Sequence, residues 1–246
     1  MVRYVDTRER EREILGLVVD SYISESKPIS SSYLCKRYNL SYCPATVRNV
    51  LLSLEQQGFL SHIHTSSGRV PTKEGFKRYV AHLKEEDIVK DNPLAIESEP
   101  FVNSSLNELI DHTLDTLTRF SGYTSLIAIS GSSEKVFYKG MRFILDQPEF
   151  EDISRLKHIF NMLEVRMSDL QSILFNCIGD RVQILIGDDI GFEDISDCSL
   201  IASGLRDDNI ELAIALLGPM RMNYLKATSC LYSVKNQLRD LMDELV

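Results

Sequence analysis

The chain lacks the features by which several large classes of protein are recognised. No apolar run approaches the eighteen or so residues a membrane span needs, so no membrane partner is expected. The start, MVRYVDTRERERE, holds no apolar h-region, and no signal peptide is read there. The five cysteines (Cys35, Cys43, Cys177, Cys198, Cys230) are odd in number, scattered, and form no CxxC pair. That pattern indicates neither a disulfide framework nor a zinc site, and it fits a reducing cytoplasm. There is no G-x-S-x-G, Walker A or dinucleotide loop, and the five histidines keep no ligand spacing with cysteine or carboxylate. Catalysis, a metal and a cofactor are therefore not expected. Internal repeats and low-complexity tracts are also missing.

What is present is an ordinary globular composition, 43% hydrophobic and 26% charged over 246 residues, enough for one large domain or two small ones. The net charge of −9 would argue against nucleic acid if it were spread evenly. It is not. Residues 26–84 hold nine Lys/Arg against two acids, Glu55 and Glu74, a net of +7, whereas residues 85–246 carry fourteen bases and twenty-eight acids. A basic head on an acidic body can dock on DNA by the head while the body is repelled from the phosphates.

Local signals divide the chain into a head at 1–84, an acidic linker at 85–103 and a second domain at 104–246. In the head, Asp6-Thr7 precedes a helix with Ile14, Leu15, Leu17, Val18, Tyr22 and Ile23 on one face, and Lys27-Pro28 ends it. A short helix over Ser31–Tyr38 follows, with Asn39 at its C-cap. Pro44 suits the first position of a third helix, which runs to Gln57 and stops at Gly58. Phe59–His64 alternates like a strand, Thr65-Ser66-Ser67-Gly68 is a turn, and Arg69-Val70 returns as a second strand. Thr72 then caps a last helix carrying Phe76, Tyr79, Val80 and Leu83. Three helices, a hairpin and a closing helix make a winged helix-turn-helix.

The second domain reads as α+β: a helix to Ser121, a strand Thr124–Ile129, and a helix over about Ser154–Phe175. Strands Val182–Ile186, Ser199–Ala202 and Leu212–Leu217 come next, then a last helix from Tyr224 to Leu245. The apolar stripes of that last helix (Leu225, Leu231, Val234, Leu238, Leu241, Leu245) and of the Leu106–Phe120 helix serve either as core or as a dimer surface.

A recognition helix must pack on one side and offer short hydrogen-bonding groups to base edges on the other. With Val47, Val50, Leu51 and Leu54 inward, the outward set is Ala45, Thr46, Arg48, Asn49 and Ser53. Asn pairs with adenine and Arg with guanine in bidentate fashion, and Ala or the Thr methyl can meet a thymine methyl. The wing adds His64, Thr65, Ser66, Ser67, Gly68 and Arg69, the last able to enter the minor groove or hold a phosphate. Lys73, Lys77 and Arg78 are further phosphate candidates. A double-stranded DNA partner is expected on these grounds.

The stretches LSYCPATVRNVLLSLEQQGFL (Leu40–Leu60) and SHIHTSSGRVPTKEGFKRYV (Ser61–Val80) resemble the bacterial heat-inducible transcription repressors, the HrcA family. Later stretches are similar too: Phe120–Tyr123, Leu145–Phe150, Asp197–Leu200 and Gly218–Tyr224. The resemblance implies a GAF-like second domain and a cytoplasmic, homodimeric repressor of chaperone operons. It implies binding to an inverted repeat, release on heat stress and a chaperonin partner. An alternative is a regulator gated by a small molecule held in the GAF-like domain. Two departures stand out. Between Ile129 and Tyr138 only a short stretch replaces the family's inserted dimerisation domain, so the chain resembles a shortened member. Cys43 stands where the family has a helix-capping serine.

Overall fold

The computed structural model describes residues 7–63, 68–83, 105–130, 135–206 and 210–244. The expected acidic linker, 85–103, lies outside the described residues. The chain divides into two compact units, Met1–Leu83 and Lys84–Val246.

The first unit is a winged helix-turn-helix built on local caps. Helix α1 (Thr7–Glu25) buries Ile14, Leu15, Val18 and Val19. Helix α2 (Ser31–Tyr38) starts where the Ser30 hydroxyl accepts from the Tyr33 amide at 3.2 Å. It ends at Asn39, whose left-handed φ of 47° suits a short polar residue. Helix α3 (Pro44–Gln56) places Pro44 in its first turn, where the missing N–H costs nothing, and buries Val47, Val50, Leu51 and Leu54. The expected strand Phe59–His64 shrinks to β1 (Leu60–Ser61) because the end of α3 claims Phe59. Gly58 turns left-handed at φ 81°, and the Phe59 amide folds back onto the Leu54 carbonyl at 2.9 Å. Strand β2 (Val70–Pro71) pairs antiparallel with β1, and Arg69 bridges Ile29 by two 2.8 Å backbone bonds. Helix α4 (Lys73–Val80) is capped by Thr72, which accepts from the Gly75 amide at 3.1 Å. Tyr79 donates to Asp20 at 2.6 Å and Phe76 meets Tyr22, so α4 closes on α1.

The second unit is α+β. Its elements are α5 (Leu106–Ser121), β3 (Thr124–Ile129), β4 (Lys135–Lys139), α6 (Arg142–Leu145), α7 (Ile153–Glu164) and α8 (Met167–Asn176), followed by β5 (Gly179–Ile186), β6 (Cys198–Arg206), β7 (Glu211–Pro219) and α9 (Tyr224–Glu244). The strands form one antiparallel sheet in the order β4-β3-β7-β6-β5. Because side chains alternate along a strand, the sheet serves two layers. Leu126, Ala128, Leu200, Ala202, Ala213, Ala215 and Leu217 face a core closed by Ile159, Met162 and Leu163 of α7 and Leu170 and Leu174 of α8. On the other face Ser125 donates to the Leu114 carbonyl of α5 at 3.0 Å, and Ser199 meets the Tyr224 hydroxyl of α9 at 2.8 Å.

Three departures from the sequence reading have physical causes. The single helix expected over Ser154–Phe175 is two, broken at Val165-Arg166, where Arg166 leaves helical geometry, lies over the Phe192 ring and pairs with Asp169. The break brings both apolar stripes onto one core. Strand β4 went unread because only Val136 is buried and a lysine stands at each end, the pattern of a protected edge. Of the two stripes, read as either core or dimer surface, Leu231, Val234 and Leu238 of α9 and Ile110, Leu114 and Leu117 of α5 are buried inside the unit, whereas Leu225 is half-buried and Leu106 is 54% exposed. A buried lysine was also not foreseen: Lys235 of α9 donates to the Gly179 and Asp180 carbonyls at 2.5 and 3.1 Å, tying the helix to the start of β5.

Four stretches far apart in sequence meet at the turn from β7 into α9. Arg221 grips both Glu149 and Gln147, the Asn223 amide donates to the Tyr123 hydroxyl at 2.8 Å, and the Met220 amide donates to the Asp197 carbonyl at 3.0 Å. These contacts fix the start of α9 against three other segments. Among the described residues no helix is long and apolar enough to cross a membrane.

Candidate nucleic-acid interface

Helix α3 is held by its apolar side, which decides what the other side offers. Val47, Val50, Leu51 and Leu54 are at most 8% exposed, so Ala45, Arg48 and Asn49 stand open on the opposite face. Thr46 is half-buried, its hydroxyl 3.2 Å from the Cys43 sulfur. Ser53 shares that face by spacing, but it is half-buried and donates to Glu11 at 2.6 Å, while Gln57 reaches the same carboxylate at 3.0 Å. Ser53 thus fastens α3 to α1. The open face therefore narrows to the first two turns, around Ala45, Arg48 and Asn49.

At the N-cap, Cys43 makes no side-chain capping bond. Its exposed thiol is held below the usual thiol range, chiefly by the Thr46 hydroxyl. Serine at this position would supply the missing acceptor. Cys43→Ser is expected to stabilise α3 by about 0.5–2 kcal/mol, read as slower hydrogen exchange in its first-turn amides.

The wing is anchored from its base. Glu55, in the last turn of α3, takes the Arg69 guanidinium at 2.8 and 2.9 Å and the His62 ring on its other oxygen. One carboxylate therefore binds both strands of the hairpin. Arg69, placed on the wing as a groove or phosphate contact, is only 18% exposed in this arrangement. Gly68 sits so close to Ile29 that a Cβ would meet its backbone at 2.5 Å. The tip residues His64, Thr65, Ser66 and Ser67 lie outside the described residues. Lys73 opens α4 and is half-buried. Sequence spacing gave no sign of Glu55, Glu11 or Ile29, because each acts across the fold.

The Glu55 carboxyl is held below its ordinary range by the His62 hydrogen bond first, then by the Arg69 charge. A depressed acid stabilises above its unfolded pKa, about 4.3, and the contribution is lost as pH falls through the lower folded value. The His62 and Val70 resonances of the wing should therefore shift together in that acid window. Glu55→Gln should abolish the shared transition.

A notch of about 150 Å³ on the same unit is lined by Arg8, Glu11, Arg12 and Arg78 over Leu15, Leu54 and Phe59. It falls short of the roughly 300–1,000 Å³ of small-molecule sites.

A basic winged helix with an open recognition face, joined in one chain to an α+β body, defines a transcription regulator of the winged-helix class. The chain belongs to the HrcA family: the model described as the HrcA protein C terminal domain matches residues 80–227. The heat-inducible transcription repressor HrcA of Desulforudis audaxviator is 22% identical over 339 aligned positions, covering 96% of this chain and 98% of that protein. The alignment is longer than this chain, so the relative carries segments that this chain does not have. The same-named protein of Carboxydothermus hydrogenoformans is 35% identical over 147 residues, 57% of this chain and 41% of its own. Over 79 residues the Prosthecochloris aestuarii relative reaches 46%, covering 32% of this chain and 22% of its own. A solved structure of a hypothetical protein superposes with a TM-score of 0.74 at 16% identity, covering 94% of this chain and 96% of that one, which supports the fold.

Proposed function

We propose that the chain is a sequence-specific repressor of heat-shock (chaperone) operons, reading an inverted repeat as a homodimer and releasing it on heat stress. The observation that carries this is the exposed Ala45, Arg48 and Asn49 face of α3, on a head whose net charge is opposite to that of the body. Asn49 reads adenine, Arg48 reads guanine, and Ala45 with the Thr46 methyl meets a thymine methyl. The tip, His64 to Gly68, follows the backbone or minor groove, and Lys73 holds a phosphate. Ser53 and Arg69 act one step back: Ser53 sets the angle of α3 on α1, and Arg69 sets the wing. The chain acts in the cytoplasm by binding rather than by catalysis, with the chaperonin as the partner that reports folding load.

Separate contributions give separate signatures. Lys73→Ala should weaken binding to all duplexes alike and lower the salt slope by about one. The direct test is a footprint on the promoters of the organism's own chaperone operons, with and without chaperonin. A protected inverted repeat supports the proposal, and no protected site at these promoters opposes it. Among the described residues no observation comparable to the α3 face favours the small-molecule-gated alternative.

A further inference from the structure

We propose that the outward face of α7 is a self-association surface, on which two copies of the chain pair about a two-fold axis with their α7 helices antiparallel. Helix α7 buries Ile159, Met162 and Leu163 on one side. At 3.6 residues per turn, Ile153, Lys157, Phe160 and Glu164 fall within about 60° of one another on the other side. Two of the four are apolar where solvent exposure predicts polar residues: Ile153 is 67% exposed and Phe160 37%, with Val165 at 75% just beyond the helix. Leu145 on α6 is 52% exposed, so four of the nine large apolar side chains that stay open among the described residues fall between 145 and 165. Single exposed apolar residues need no explanation, but Ile153 and Phe160 share one face of the same helix.

Charge on the stripe selects the occupant. Lys157 and Glu164 are both exposed, and neither has an ion pair or hydrogen bond to a described residue. They lie seven residues apart on one face with opposite signs. In an antiparallel pair Lys157 of each copy therefore meets Glu164 of the other, twice, with the two Phe160 rings side by side at the axis. The 4-3-4 spacing is that of a coiled-coil seam, and the contact is self-complementary, as a two-fold interface requires. A second copy satisfies both charges and covers the apolar stripe at once.

This surface deepens the proposed function, which needs two heads on an inverted repeat, and it rests on that reading for its biological use. Sedimentation of the full chain without DNA tests it separately, so its failure leaves the DNA-reading face standing. The wild type should be a dimer. Lys157→Glu or Glu164→Lys alone should weaken the dimer at least about tenfold, because each sets like charges opposite one another. The double variant K157E/E164K should restore it, and Phe160→Glu should give monomer with an unchanged far-UV spectrum. A monomeric wild type, a dimer indifferent to the single reversals, or a double variant without rescue would overturn the proposal.

Discussion

Alanine at Asn49 or Arg48 is expected to relax recognition at one base position per half-site, at a cost of about 1–3 kcal/mol each. Both side chains are exposed in the first turns of α3 while the opposite side is fixed in the core. Truncating either removes donors that face outward and leaves the packing of Val47, Val50, Leu51 and Leu54 untouched. The loss should therefore appear in the ratio between cognate and altered sites, with the unfolding temperature unchanged. A dimer presents each residue twice, so the penalty on an inverted repeat is about double that on a single half-site. Competition binding with single-base operator variants reads this directly. A uniform loss across all duplexes would reassign these residues to phosphate contact.

Gly75→Ala is expected to destabilise the head, although helix propensity alone predicts a gain of roughly 1 kcal/mol. The decisive quantity is a distance: a Cβ at Gly75 would stand 2.1 Å from the Phe59 carbonyl oxygen. That oxygen belongs to backbone bonded to the Thr72 amide at 3.0 Å, so it cannot swing aside as a side-chain end would. Overpacking of this kind costs about 1–3 kcal/mol or more, which outweighs the propensity gain. Relief requires α4 to lift from the end of α3 and carry β2 with it, so wing amides should exchange faster and DNA affinity should fall. Gly16→Ala is the control. Gly16 lies in α1 with nothing within 4 Å of an added Cβ, and there propensity should win, with a gain of about 0.5–1 kcal/mol. Thermal unfolding of the two variants should move in opposite directions.

Much of the head was legible because its signals are local. Ser30 and Asn39 cap α2, Pro44 opens α3, Gly58 closes it and Thr72 opens α4, each within a few residues of its partner. The outward position of Arg48 and Asn49 followed from helical spacing for the same reason. What could not be read depends on partners distant in sequence. Spacing placed Ser53 beside Asn49, and only the approach of Glu11, forty-two residues earlier, turns it to α1. Arg69 looked like a free guanidinium on a wing, whereas Glu55 holds it from the end of α3. In the body, Val165-Arg166 carries no proline or glycine to announce a break, and the break answers to the Phe192 ring instead. Helix α9 reads as an apolar stripe, while its buried Lys235 is explained only by the two carbonyls at the start of β5.

Under the proposed function the α3 face reads sequence rather than charge. Affinities for the chaperone-promoter inverted repeat and for a scrambled duplex of equal length and composition, measured at one salt concentration, separate the two. A sequence-reading head predicts a preference of about a thousandfold or more for the repeat. Equal affinity for the two duplexes would contradict it.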